Sequence, residues 1–159
     1  MAAKKQAAQH DSNVAVNRRA RYEYEILQQW EAGIALLGSE IKSIRLGQAN
    51  IAEGYARLMD GELWLYNVHI APYLPARVNH EPRRTRRLLL HRRQLDDLEK
   101  LLREQPRTTV IPLRMYLKDG LVKVEVGVGR GRRAYDKRQA IAAREAGRTM
   151  QRALRHSAR

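Results

Sequence analysis

The chain has 159 residues, which is enough for one domain with its own core and a tail, and too few for two full domains. It contains no cysteine, which excludes disulfides, thiolate catalysis and cysteine-ligated zinc. The 31 Lys and Arg residues outnumber the 17 Asp and Glu residues, giving a net charge of +14. A surplus of this size favours a polyanionic partner.

The excess positive charge lies at the two ends of the chain. Residues 1–21 hold five basic and one acidic side chain, residues 22–129 hold sixteen and fourteen, and residues 130–159 hold ten and two. A nearly neutral body with basic extremities is typical of a protein that grips nucleic acid. Arginine predominates, and a guanidinium group can bind a phosphate bidentately or stack on a base. Codon bias would explain arginine over lysine, but it would not explain the six arginines clustered between residues 83 and 93.

Apolar residues with a period of two predict a half-buried strand over residues 21–30. The segment 31–33 (EAG) predicts a turn, and residues 34–37 a returning strand. Ser39 is a candidate N-cap for a short helix that runs to Arg45, and Gly47 is suited to stop that helix.

Two Asp-Gly pairs predict β-hairpins. Asp60-Gly61 separates residues 55–59 from 62–70, and Asp119-Gly120 separates residues 110–117 from 121–128. The four valines at 122, 124, 126 and 128 alternate with polar residues, which predicts one buried face.

A helix is predicted between the hairpins, over residues 88–103, where leucines fall on one helical face. Together these elements predict a mainly β protein, a small closed antiparallel barrel of the oligonucleotide-binding kind with about two to three flanking helices and a basic C-terminal tail. A β-sandwich is the alternative. The expected division is a disordered basic N-terminus (1–13), the barrel domain (14–131) and the tail (132–159).

The tail has a helical pattern of its own. Wrapped at 100° per residue, it aligns Lys137, Arg144, Arg148, Arg152, Arg155 and Arg159 on one stripe and offers mostly small residues opposite. Such a helix is marginal alone in water, and it becomes ordered in a phosphate-lined groove. The thin apolar stripe argues against packing on the body or insertion into a membrane.

No motif for catalysis or metal binding stands out. The five histidines form no pair at metal-ligand spacing with a carboxylate, the glycines at 127, 129 and 131 lack the Lys-Ser/Thr of a nucleotide loop, and no nucleophile elbow is present. We therefore expect no cofactor and no enzyme activity. Without a signal-peptide pattern or an apolar run of membrane length, we expect a cytoplasmic protein without a membrane partner.

Seven ordered blocks resemble the SsrA-binding (small protein B, SmpB) family across nearly the whole chain. They are 17–21 (NRRAR), 31–33 (EAG), 38–45 (GSEIKSIR), 69–73 (HIAPY), 79–82 (NHEP), 87–91 (RLLLH) and 135–138 (YDKR). The sequence departs from the family pattern in predicted loops at 76–77 and 105–107, and Tyr135 stands where many members have histidine.

The resemblance implies an RNA-binding protein of trans-translation, the rescue of stalled ribosomes. Members bind the tRNA-like domain of transfer-messenger RNA (tmRNA, SsrA). Their barrel stands in the place of an anticodon arm, and their tail probes the empty mRNA channel beyond the 16S rRNA decoding centre of the 70S ribosome. Functional links to alanyl-tRNA synthetase and elongation factor Tu follow, and we expect a monomer.

The resemblance also implies functional residues. Asn17, Glu31 and Leu89 match family residues of the RNA-binding face, although they could respectively cap the chain, be solvated, or belong to the core. The electrostatic candidates for phosphate contacts are Arg18, Arg19, Arg21, Lys42, Arg45, Arg84 and Arg86. In the tail, Asp136, Lys137 and Arg138 match the motif that begins the family's tail, with Tyr135 available for stacking, and Ala153, Leu154 and Arg155 match the distal segment.

Three rival functions stay open at this stage. A general RNA-binding barrel or RNA chaperone would use exposed aromatic side chains as stacking platforms. An RNA-processing enzyme would need a carboxylate cluster or cofactor loop, which the sequence does not offer. A structural ribosomal protein would fit the charge equally well.

Overall fold

The structure is a computed structural model that describes residues 12–132 and 134–158, with side chains in the last segment from residue 138 onward. Nine strands and four helices lie within these residues. In chain order they are β1 (Ser12–Val16), α1 (Ala20–Glu23), β2 (Tyr24–Ile34), α2 (Gly38–Arg45), β3 (Ala49–Asn50), β4 (Tyr55–Met59), β5 (Glu62–Tyr66), β6 (His69–Ile70), β7 (Arg86–Leu89), α3 (Arg92–Glu104), β8 (Thr108–Lys118), β9 (Leu121–Gly131) and α4 (Ala134–Ser157).

Six strands close into a ring. The hydrogen-bonded order is β8-β4-β5-β7-β2-β9, and β9 pairs back onto β8. All of these pairs are antiparallel, β1 adds to the outer part of β8, and β3 pairs with β6. The ring confirms the predicted mainly β, closed antiparallel barrel, and α1 to α3 flank it.

The two predicted hairpins are confirmed. Asp60 and Gly61 have φ values of 52° and 74°, and Asp119 and Gly120 have 52° and 76°. Two consecutive positive φ angles define the type I′ turn, whose twist matches that of the flanking strands. The β4–β5 and β8–β9 pairs therefore follow from local sequence.

The core lies inside the ring. Val124, Val126 and Val128 are fully buried, as the alternation predicted, and Val122 is nearly so. Leu98 of α3 is also fully buried in this cluster, so that α3 covers one side of the barrel. A second, separate cluster joins Ala20, Ile111 and Leu113 to partly buried residues of β2, and it fixes α1 on the barrel wall.

The predicted turn at residues 31–33 is wrong. β2 runs unbroken to Ile34 and pairs with β9 as far as Gly33 opposite Lys123. Gly33 is instead a site of close approach, because a Cβ placed there would lie 3.3 Å from the Cβ of Leu89. The same strand starts at Tyr24 and not at residue 21, since α1 precedes it.

Two helix boundaries also differ from expectation. Residues 88 and 89 belong to strand β7, and α3 begins at Arg92. Ser39 is not the N-cap of α2, which begins at Gly38, and the carboxylate of Glu40 accepts the backbone N–H of Leu37 at 2.8 Å instead. Gly47, with a φ of 75°, follows the end of α2 as predicted.

Candidate nucleic-acid interface

Glu31 and Leu89 lie on one outer face of the barrel. Their neighbours Trp30, Ala32 and Leu88 are buried in the core, so alternation turns Glu31 and Leu89 outward, and Leu89 is 46 % exposed. Gly33, two residues after Glu31 on β2, pairs with Leu89 on β7. Glu31 and Leu89, which both match residues of the family's RNA-binding face, therefore lie on the same surface. Leu89 is not a core residue in this structure.

A polar network holds Glu31 in place. The buried hydroxyl of Tyr116 donates to Oε2 of Glu31, and Nζ of Lys118 lies 3.3 Å from both carboxylate oxygens. The hydrogen bond from Tyr116 is the largest influence that lowers the pKa of Glu31 below its usual value, and Lys118 and Lys123 add to it against the opposing effect of partial burial. Glu31 is therefore a fixed, ionised hydrogen-bond acceptor at the surface.

Tyr116 is itself held from the other side. The guanidinium of Arg114 lies 4.1 Å from the centre of the Tyr116 ring and pairs with Glu125. Burial and the hydrogen bond to Glu31 raise the pKa of Tyr116 above its usual value. The tyrosine thus stays protonated and remains a donor to Glu31.

Asn17 holds the basic turn formed by residues 17–20 against the barrel. Its amide Nδ2 donates to the carbonyl of Pro112 at 3.1 Å, and its Oδ1 accepts the N–H of Ala20 at 3.2 Å. Asn17 is 7 % exposed, and its two hydrogen bonds fix the turn that leads into α1. Arg18 and Arg19 beside it are exposed.

A cleft of about 440 Å³ opens between this turn and α4. Arg18, Arg21 and Arg144 line it together with Tyr22, and the Arg144 guanidinium lies 5.9 Å from the centre of the Tyr22 ring. Arg114 and its partner Glu125 also line the cleft, so four arginines and one acid lie there. The excess positive charge suits a phosphate backbone.

Lys42 and Arg45 lie on α2, where both side chains are exposed. Lys42 lies over the ring of Tyr73, with Nζ 5.3 Å from the ring centre. The loop that carries Tyr73 is closed by Asn79, whose side chain bonds the N–H and the carbonyl of Tyr73 at 2.8 Å and 3.0 Å. These two cations are available to a ligand on this side.

Arg86 does not belong to the interface. It is completely buried, donates to Glu40 at 2.8 Å and to the carbonyl of Val68 at 2.8 Å, and cannot reach a phosphate. Arg84 donates through Nε and Nη2 to both oxygens of the same carboxylate, at 2.8 Å each. The clustering of arginines in the sequence predicts phosphate contacts for both residues. In the structure, both form ion pairs with the buried carboxylate of Glu40.

The tail forms the 24-residue helix α4. Its predicted site residues from 138 onward are all exposed, namely Arg138, Arg144, Arg148, Arg152, Ala153, Leu154 and Arg155. The backbone of α4 includes Tyr135, Asp136 and Lys137, whose side chains fall outside the described part of the structure. Most of α4 projects from the barrel with its arginines free of the core.

Other kinds of site find no support in the described residues. Within residues 12–132 and 134–158, no group of three His, Asp or Glu side chains is placed to hold a metal ion. The helices described are also too short or too polar to cross a membrane.

A family model confirms the resemblance in the sequence. The model described as "SmpB protein" matches residues 14–156, which include both the barrel and the tail. The chain belongs to the SmpB protein family.

Curated SmpB relatives match over nearly their whole length. The SsrA-binding protein of Roseiflexus sp. (strain RS-1) is 54 % identical over 148 residues, covering 92 % of this chain and 93 % of the relative. The SsrA-binding protein of Nostoc sp. (strain PCC 7120 / SAG 25.82 / UTEX 2576) is 52 % identical over 142 residues, covering 88 % and 91 %. This SmpB chain therefore spans the same unit as these proteins.

A solved structure also matches this SmpB chain. Its subject is "tmRNA-SmpB: a journey to the center of the bacterial ribosome", and the match has a TM-score of 0.63 and 45 % sequence identity. It covers 79 % of this chain and 92 % of the other. The barrel architecture is thus shared with an experimentally studied SmpB.

Sequence reasoning missed the residues that support Glu31. Tyr116 and Lys118 lie on β8, 85 and 87 residues from Glu31 in the chain, and they meet it across β9. The spacing of valines in β9 did predict which face is outward. No local pattern could predict which side chain of β8 bonds to which side chain of β2.

Proposed function

We propose that this chain binds tmRNA and brings it to stalled ribosomes, where the two together carry out trans-translation. The relatives are named SsrA-binding proteins, and the matched structure concerns tmRNA and SmpB in the bacterial ribosome. The observation that carries the proposal is the meeting of Glu31 and Leu89 on one outer face, within a family that the whole chain matches.

The barrel face takes the tRNA-like domain. Arg18, Arg19, Arg21, Lys42 and Arg45 are solvent-accessible cations and contact phosphates. Asn17 holds the turn that presents the first of them. Glu31 and Leu89 read sugar or base groups, because a carboxylate repels phosphate and an apolar side chain gains by covering a base or ribose.

The tail takes the ribosome. α4 has a mostly small apolar stripe and exposed arginines, and this composition suits a channel lined by rRNA phosphates better than a protein core. In this proposal the barrel occupies the place of an anticodon arm. Asp136, Lys137 and Arg138 lie near the 16S rRNA decoding centre with Tyr135 stacking on a base, and Ala153, Leu154 and Arg155 lie in the empty mRNA channel.

The protein acts as a binding partner and not as an enzyme. Alanyl-tRNA synthetase charges the RNA that it presents, and elongation factor Tu delivers the charged complex. One copy of the protein suffices for each RNA, because the proposed face and tail are complete within one chain.

The test is a titration of the full chain against the tRNA-like domain, with an elongator tRNA as competitor, at several salt concentrations. Phosphate contacts contribute about −0.7 to −0.9 each to the log–log salt slope, and they weaken both complexes alike. A preference for the tRNA-like domain that persists at high salt supports the proposal. Equal affinities that collapse together would indicate a general RNA-binding barrel instead.

A further inference from the structure

Tyr116 is a buried residue whose hydroxyl bonds to a residue on the protein surface. Its side chain is 1 % exposed, so it cannot itself reach an RNA, yet its hydroxyl is directed at the carboxylate of Glu31, whose side chain is 39 % exposed. The aromatic ring lies beneath the guanidinium of Arg114, which limits its movement. A rigid donor thus underlies a surface acceptor.

The strand register explains why this contact is rigid. Tyr116 pairs with Lys123 on β9, and Lys123 pairs in turn with Gly33 on β2, two residues from Glu31. The hydrogen bond therefore joins β8 to β2 across β9, the strand that lies between them. Leu89 continues the same row on the far side of Gly33.

A glutamate on an RNA-binding face needs such a support. A free glutamate loses rotamer freedom when it binds, whereas a glutamate already fixed by protein contacts has lost that freedom on folding. Repulsion from phosphate also favours turning the carboxylate away from the RNA, and Lys118 at 3.3 Å reduces that repulsion. Tyr116 bonds to Oε2, whereas Oε1 accepts from Lys118 at 3.3 Å and keeps a second lone pair for a further hydrogen bond.

We propose that Tyr116 is a positioning residue for RNA recognition, holding Glu31 so that Oε1, which Tyr116 does not contact, accepts a hydrogen bond from an N–H or O–H donor of the tRNA-like domain. This inference rests on the proposed function. It adds that Tyr116 acts on RNA binding through Glu31 and through no contact of its own.

The experiment is a double-mutant cycle in the full chain, with affinity for the tRNA-like domain as one readout and the free energy of unfolding as the other. Glu31→Gln should weaken binding about tenfold, the effect of losing one hydrogen bond to a charged group. Tyr116→Phe should weaken it several-fold, and the double variant should bind about as weakly as Glu31→Gln alone. The salt slope should not change, because no phosphate contact is lost.

A matched control is Tyr55→Phe, which removes a hydroxyl from a half-buried tyrosine that stacks on Tyr66 at 5.4 Å. It should leave RNA affinity unchanged. If Tyr116→Phe lowers stability but not affinity, the hydrogen bond only staples β8 to β2 and the inference is overturned. The inference is also wrong if the two losses of affinity multiply in the double variant, or if Glu31→Gln leaves the affinity unchanged. If the wild-type chain does not prefer the tRNA-like domain, the proposed function itself is wrong.

Discussion

Arg86 donates its Nε–H to Oε1 of Glu40 across 2.8 Å, and neither side chain has exposed surface. The two residues are 46 apart in the chain and join β7 to α2. Arg86 also bonds to the carbonyls of Val68 and Pro82, so each nitrogen of its guanidinium donates a hydrogen bond. A buried charge with this many partners fixes the position of α2, and with it Lys42 and Arg45.

Replacing Arg86 should strongly destabilise the barrel. Arg86→Leu leaves Arg84 as the one remaining guanidinium partner of the buried Glu40 carboxylate, and it removes the donor to the carbonyls of Val68 and Pro82. Removing one member of a buried pair costs up to about 3–5 kcal/mol. Denaturant unfolding measures this. Arg87→Leu is the matched control, because the Arg87–Glu62 pair is 45 % exposed on both sides and such pairs contribute about 0–1 kcal/mol. Equal losses in the two variants would show that the Arg86–Glu40 pair does not hold the barrel and α2 together.

Stability should also fall in acid because of Glu40. Burial alone would raise the pKa of Glu40, but hydrogen bonds from Arg84, from the Leu37 N–H and from Arg86 outweigh it, so that the pKa is lowered from 4.5. A lowered folded-state pKa contributes stability above the unfolded value, and that stability is lost as the pH falls below 4.5 through the folded value. Unfolding free energies measured over this range should decline more steeply for the wild type than for Glu40→Gln. An identical acid dependence in both would contradict the assignment.

Gly54 should not tolerate a side chain. A Cβ there would lie 2.6 Å from Cγ2 of Val68 and 2.9 Å from Cγ of Pro112, and Val68 is fully buried. Gly54→Ala should therefore cost about 1–3 kcal/mol through overpacking. Gly38→Ala is the control, since no atom lies within 4 Å of its Cβ position at the start of α2. A thermal melt that shifts for neither variant would show that the barrel wall yields easily around Gly54.

The tail and the barrel should separate by function. Changing Arg148, Arg152 and Arg155 to glutamine removes three exposed charges from α4 and should weaken binding to stalled ribosomes while leaving affinity for the tRNA-like domain intact. The control changes Arg92, Arg93 and Arg103 of α3, which are equally exposed. Sedimentation with stalled ribosomes and the RNA titration give the two readouts. Equal loss of ribosome binding in both triple variants would indicate simple charge attraction.

Local patterns in the sequence predicted much of the fold. Asp-Gly pairs set both type I′ turns, the alternating valines of β9 set its buried face, and the basic stripe at residues 137–155 predicted α4. Each of these signals acts over a few residues. Turn geometry and alternation need no knowledge of the neighbouring strands.

The features that the sequence did not predict depend on contacts between residues far apart in the chain. The sequence predicts a turn at Gly33, but this residue lies within β2, where an added Cβ would lie 3.3 Å from the Cβ of Leu89 on another strand. Charge clustering predicts phosphate contacts for Arg84 and Arg86, but both donate to Glu40, 44 and 46 residues away, and Arg86 has no exposed surface. Charge alone could not separate arginines that face RNA from arginines that face a buried acid.

The proposed function is that this chain makes tmRNA act on stalled ribosomes. Its most direct test is a purified translation system stalled on an mRNA without a stop codon and supplied with alanyl-tmRNA and elongation factor Tu, in which transfer of the nascent peptide to alanyl-tmRNA is measured with and without the chain. We predict that transfer requires the chain and ceases when Arg148, Arg152 and Arg155 are changed to glutamine. If transfer proceeds at the same rate without the chain, or if no transfer occurs although the chain is bound to the RNA, the chain does not have this function.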